Sequence, residues 1–191
     1  MPAFLPETPL PAMSIEIRTA QPGDIAAITG IYAESVLNGF ASYEIEPPTD
    51  TEMQNRMATV LNGGYPYFTA IDASGNVAGY AYASAFRTRP AYRWLVENSV
   101  YLAPQARGKG VGKALLTNLI DACEKRGFRQ MVAVIGGASP ASVALHRACG
   151  FSDAGRLSGT GFKNGRWLDT VFMQRALGDG NMSAPGPIAL P

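Results

Sequence analysis

The chain has little charge, little histidine and little cysteine. Only 16% of its 191 residues are Asp, Glu, Lys or Arg, well under the roughly 25% usual in soluble domains. The 16 basic residues nearly cancel the 15 acidic ones, leaving a formal charge of +1. A nucleic-acid binder needs a concentrated basic face to displace counterions, so the balance argues against that class while leaving room for a local anion site. The single histidine removes any His-rich metal centre, and no metal is expected. Cys123 and Cys149 make neither a disulfide framework nor a zinc cluster, and they suit a reducing cytoplasm. There is no run of 18 apolar residues, so no membrane span is expected.

What is present is a patterned body between unpatterned ends. Residues 1–13 carry Pro2, Pro6, Pro9 and Pro11 without a basic residue or an unbroken apolar stretch, which is not a signal-peptide pattern. Pattern begins at Met13, itself a candidate start, and fades after Leu177 into a Gly/Pro-rich stretch, 178–191. Both ends are expected to be loose tails, unable to bury enough apolar surface to offset ordering. Residues 14–177 are expected to form one domain.

Within that body, alternation predicts strands at 14–18, 67–72, 77–86, 94–102, 153–162 and 166–175. The short apolar run Met131 to Ile135 suits a buried central strand. Helical spacing follows Asp24, read as a cap, and the capping box Thr49-Asp50-Thr51-Glu52. Two further helices are expected over 110–126, ended by Gly127, and 141–149, stopped by Gly150. Asn164-Gly165 marks a tight hairpin. The order predicts an α/β fold, a mixed sheet with helices on both faces.

The most informative stretch is Val100-Tyr101-Leu102-Ala103-Pro104-Gln105-Ala106-Arg107-Gly108-Lys109-Gly110-Val111-Gly112-Lys113. A strand runs into a three-glycine turn and a helix starts at once. Glycines let backbone N–H groups converge on an anion, and the helix N-terminus adds its positive end. Arg107, Lys109 and Lys113 add charge, so the stretch reads as a pyrophosphate cradle; a tight turn with solvated basic residues is the plainer alternative. Ala114 after Lys113 breaks a P-loop, and Lys113 breaks a dinucleotide Gly-x-Gly-x-x-Gly pattern.

Glu97 lies mid-strand among Trp94, Leu95, Val96 and Val100, where a carboxylate is costly unless used or paired. It is a candidate base or a partner for a nearby arginine. His146, on the 141–149 helix, is a candidate proton carrier or a satisfied core residue. Arg87, Arg89 and Arg93 crowd the loop between two strands, as anion forks or as a solvated loop. Cys123 and Cys149 read as small core residues.

Arg107, Gly110 and Gly112 satisfy Arg/Gln-x-x-Gly-x-Gly, which resembles the coenzyme A site of GNAT-type N-acetyltransferases. The segment Tyr92 to Tyr101, the block Ser142 to Phe151 and the block Gly161 to Asp169 resemble the phosphinothricin/methionine sulfoximine acetyltransferase branch. The resemblance implies the GNAT fold with a splayed pair of central strands, acetyl-CoA as donor, and a homodimer. It implies cofactor contacts along Val100, Tyr101 and Leu102 and across Arg107, Gly108, Lys109, Gly110, Val111, Gly112 and Lys113. It implies substrate contacts at Arg87, Thr88, Arg89, Glu97, Asn98 and Ser99, with Glu97 as base through water. His146, four residues before Gly150, is implied either to protonate the departing thiolate or to share the base role. Ser139 stands where family members carry a cofactor-contacting Asn, and it offers fewer hydrogen bonds. The substrate expected is a small amino acid or analogue, acylated at its α-amino group. Rival readings are a peptide N-terminal acetyltransferase and a non-catalytic CoA-binding domain.

Overall fold

Ile15 and Ile17 alternate with Glu16 and Arg18, and this pattern builds the edge strand β1 (Ile15–Thr19). The computed structural model describes residues 14–188; the expected tail 1–13 lies outside them. Helices α1 (Ile25–Asn38) and α2 (Asp50–Asn62) follow, then β2 (Tyr67–Asp72), β3 (Val77–Ala85) and β4 (Leu95–Leu102). The chain continues through α3 (Val111–Lys125), β5 (Gln130–Gly136), α4 (Pro140–Ala148), β6 (Ser152–Lys163) and β7 (Arg166–Ala176). The seven strands form one sheet in the order β1-β2-β3-β4-β5-β7-β6, and every neighbouring pair is antiparallel except β4–β5. A parallel pair needs a crossover, and α3 provides it.

Two helix starts differ from expectation in detail. Asp24 precedes α1, yet its side chain makes no cap bond. It accepts two bonds from the Arg18 guanidinium and one from Gln21 N–H instead, a stronger charged pairing than a helix N–H offers. Thr49 does cap α2, accepting from Glu52 N–H, while the Glu52 carboxylate turns to Arg56.

The two sheet faces carry different helices. On one, Tyr67 stacks on Tyr82 at 4.9 Å between ring centroids, and Tyr80 on Tyr101 at 5.2 Å. Tyr32 of α1 meets Tyr101 edge-on at 5.0 Å over this aromatic floor. The other face takes α3, whose Leu115, Leu116 and Leu119 are fully buried. Gly79 of β3 makes that packing possible, because a Cβ there would stand 2.6 Å from Leu102 and 3.3 Å from Leu115.

The stretch from 178 to 188 forms no helix or strand, but it lies against the body rather than apart from it. Trp94 Nε1 donates to Gly186 O at 3.0 Å and Arg129 Nε to Gly180 O at 2.8 Å. Composition alone could not foresee this, since Trp94 and Arg129, just before β4 and β5, are far away in sequence.

Candidate active site

β4 and β5 pair only from Leu95↔Gln130 to Asn98↔Ala133. Beyond that point they part, although β3 still pairs with β4 as far as Leu102 and β7 with β5 as far as Gly136. Two clefts meet in the opening, sharing Ala41, Val100, Tyr101, Ser139 and Ser142.

The larger cleft, about 600 Å³, is lined by Leu102, Arg107, Gly108, Gly110, Gly112 and Lys113 among others. Gly110 has φ +83° and Gly108 φ +73°, left-handed values that suit glycine, and a Cβ at either would meet open space. The first bond of α3 runs from Ala114 N–H to Gly110 O. Among the described turn and cap bonds, no N–H from Gly108 to Lys113 donates to a carbonyl. Free donors gathered at a helix N-terminus can hold an anion, so the residues present fit a pyrophosphate. Of the residues expected at the cofactor, Val100, Tyr101, Leu102, Arg107, Gly108, Gly110, Gly112, Lys113 and Ser139 line this cleft, while Lys109 and the buried Val111 do not. Ser139 does a further job, since its Oγ accepts from Ser142 N–H and caps α4. Glu34 of α1, which no local pattern singles out, pairs with Arg107 at the mouth.

The smaller cleft, about 330 Å³, is lined by Glu97, Asn98, Ser99, Tyr82, Ser42 and His146 with others. Burial pushes the Glu97 carboxyl above its ordinary value, and the Arg87 guanidinium opposes the shift. A carboxylate so tuned is suited to accepting a proton. Asn98, the next residue, projects to the opposite sheet face, where Nδ2 donates to Val132 O at 3.0 Å. Its Oδ1 stands 2.9 Å from His146 Nε2. Both side chains are buried, and burial pushes the His146 imidazolium below its ordinary pKa.

Arg87, Thr88 and Arg89 are not among the residues lining this cleft. Arg87 stacks over Phe86 at 4.2 Å and donates to Phe86 O. The connection between α1 and α2 supplies a wall that sequence reasoning gave little weight. Tyr43 OH bonds to Thr170 Oγ1 at 2.8 Å, and Lys163 Nζ donates to Ser42 O at 2.8 Å. Gly136 and Gly161 admit this segment, since their missing Cβ atoms would fall 2.6 Å from Phe40 O and 2.9 Å from the Tyr43 ring. Cys123 and Cys149 are buried free thiols, and burial pushes Cys123 up to about 12. Among the described residues, no group of three His, Cys, Asp or Glu gathers as a metal site.

The Acetyltransferase (GNAT) domain family matches residues 17–172. Phosphinothricin N-acetyltransferase of Alcaligenes faecalis is 50% identical over 170 residues, 88% of this chain and 86% of that protein. L-methionine sulfoximine/L-methionine sulfone acetyltransferase of Pseudomonas aeruginosa is 42% identical, covering 91% of this chain and all of that one. A GNAT superfamily phosphinothricin acetyltransferase from Sinorhizobium meliloti, solved in complex with AcCoA, superposes with a TM-score of 0.89 at 59% identity. That match covers 91% of this chain and 94% of the other. With a free-amide cradle at the head of α3 and a carboxylate at the strand opening, this chain belongs to the GNAT acetyltransferases.

Proposed function

We propose that this acetyltransferase transfers the acetyl group of acetyl-CoA to the α-amino group of a small amino acid or amino-acid analogue. Phosphinothricin, methionine sulfoximine and methionine sulfone, named for its relatives, define the class. The observation that carries this reading is the meeting of the two clefts, with Glu97 on the smaller one and the amide cradle on the larger. Acetyl-CoA, when bound, supplies the acetyl thioester. The amides from Gly108 to Gly112 hold its pyrophosphate, with Arg107, Lys109 and Lys113 adding charge, and the free edge of β4 from Val100 to Leu102 pairs with its arm. Val111 carries one of those amides, and Ser139 borders the same path.

An ammonium must lose a proton before it attacks, and Glu97 accepts that proton through water. His146 is the cleft's other titratable side chain suited to neutral pH, with two roles open to it: protonating the thiolate or sharing the base role. Ser99, two residues after Glu97 on the same strand face, and Tyr101 contribute the floor, and Arg87, Thr88 and Arg89, on the loop that follows β3, meet the substrate's anionic end. Arg87→Ala and Arg89→Ala should each raise KM for acidic analogues by about tenfold or more, on the order of 1.5–3 kcal/mol for a charged hydrogen bond.

A small closed substrate is favoured over a peptide because the Ser42–Tyr43 wall is pinned to β6 and β7 by the bonds of Lys163 and Tyr43. The enzyme works in the cytoplasm, where its two unpaired thiols stay reduced. Among the described residues no helix is long and apolar enough to cross a membrane. It works as a homodimer; the outward faces of Phe162 and Trp167 on the β6–β7 hairpin, 58% and 69% exposed, are apolar surface that a second copy would cover. The test is an acetyl-CoA assay with the three analogues and an N-terminal peptide. Acetylation of at least one analogue above background supports the reading. Turnover of the peptide alone, or of nothing, overturns it.

A further inference from the structure

Asn98 and His146 meet at the point where β4 and β5 separate, and the chemistry of their contact is directional. The Asn98 amide can face only one way. Its Nδ2 donates to Val132 O at 3.0 Å, and a flipped amide would set oxygen against oxygen there. Oδ1 is thereby left facing His146 Nε2 at 2.9 Å. An amide oxygen only accepts, so a proton on Nε2 satisfies this contact. Nδ1 is turned the other way, 2.8 Å from the Ser142 carbonyl oxygen and 3.4 Å from the Ser142 hydroxyl; that hydroxyl is the donor on the ring, so a neutral ring keeps its one proton at Nε2 and accepts at Nδ1.

Phe151, just before β6, meets the ring edge-on at 5.0 Å. Asn98 from β4 and Ser142 from α4 are the hydrogen-bonding groups on the ring among the described residues, and neither is charged. Arg147, next along α4, is paired outward with Asp153 at 3.0 Å. Glu97 projects from the opposite side of β4. Asn98 and His146 are 6% and 4% exposed.

We infer that Asn98 is a positioning residue that holds His146 as a hydrogen-bond donor at Nε2 and so removes it from the base role. The inference rests on the acetyltransferase reading of the site and narrows it. A base needs a lone pair directed at the amine. Here Nε2 is protonated against Asn98, and the Nδ1 lone pair is turned toward Ser142 of its own helix. Removing the amine's proton therefore falls to Glu97 alone. The same contact ties the first turn of α4, which brings Ser139 and Ser142 to both clefts, to the strand bearing Glu97.

His146 is the chain's only histidine, so nitrogen NMR of the ring in untagged, uniformly labelled protein gives unambiguous signals. In the unaltered protein near neutral pH, a protonated Nε2 in slow exchange with water is expected. Asn98→Asp keeps an acceptor and adds charge, and it should raise the ring pKa by about one unit or more. Asn98→Leu removes the acceptor, and Nε2–H protection should disappear. In pH–rate series, Asn98→Leu should lower kcat about tenfold with KM for acetyl-CoA nearly unchanged. The acidic limb of both variants should stay where the parent has it, because that limb belongs to Glu97. An unprotonated Nε2 in the unaltered protein overturns the inference, as does an acidic limb that follows the ring pKa in Asn98→Asp. The ring spectrum needs neither substrate nor a stable variant, so it can fail or succeed independently of the acetylation assay.

Discussion

Arg107 of the glycine turn and Glu34 of α1 form an ion pair across the mouth of the cofactor cleft, between residues 73 apart in sequence. The arginine expected to meet pyrophosphate is thus shared with a carboxylate. Both side chains reach solvent, at 52% and 27% exposure, so the pair itself is worth no more than about 1 kcal/mol. Glu34→Gln removes a competitor and a repulsive charge without touching the cradle. Acetyl-CoA should bind about two- to fivefold more tightly by calorimetry at low salt, with the gain fading as salt rises. Unchanged affinity would show that Arg107 does not reach the phosphates.

Gly110 and Gly75 share φ +83°, and a Cβ at either meets open space. Gly75 sits in the turn between β2 and β3, whereas the space beside Gly110 is that of the anion cradle. Gly110→Val and Gly75→Val should therefore cost similar stability, about 1–2 kcal/mol of left-handed strain by urea titration. Only Gly110→Val should lose acetyl-CoA affinity, by about tenfold or more. Equal affinities would move the cofactor elsewhere.

Glu97→Gln keeps the shape of the base and removes its charge. Turnover should fall about a hundredfold, the scale of general-base help, and should recover in part at high pH, where free amine forms unaided. Arg87 holds the Glu97 carboxyl down against the effect of burial. Arg87→Ala should accordingly move the acidic limb of the pH–rate profile to higher pH. A stationary limb would separate the two residues.

The Arg18–Asp24 pair predicts an acid-sensitive contribution to stability. Hydrogen bonds from Arg18 hold the buried Asp24 carboxyl below its ordinary value. A carboxyl depressed in the folded state stabilises above its unfolded pKa of about 3.9, and the contribution is lost as pH falls through the folded value. Asp24→Asn should cost about 1–3 kcal/mol near neutral pH, and the gap from the parent should close below about pH 4. A gap independent of pH would assign the loss to shape alone.

Local patterning was enough to place the elements and the glycine turn that opens α3. Strand alternation, the Thr49 cap and the Asn164-Gly165 turn are local signals, and each element lies within a few residues of where its pattern placed it. Gly110 and Gly112 were legible for the same reason: an anion cradle is made of consecutive amides at one helix start. Glu97 stood out because a carboxylate in an apolar strand is conspicuous anywhere. Which way neighbours face and what lies across the cleft are properties of the assembled fold. Asn98 follows Glu97 directly and belongs to the other side of the sheet, paired with a histidine 48 residues later. Glu34 reaches Arg107, Lys163 pins Ser42, and Tyr43 closes on Thr170 across gaps of 73, 121 and 127 residues. Such contacts leave no local trace, because a charge or hydroxyl is patterned the same way whether it meets water or a distant partner. Their existence depends on where β4 and β5 stop pairing, and strand divergence is a property of the assembled sheet.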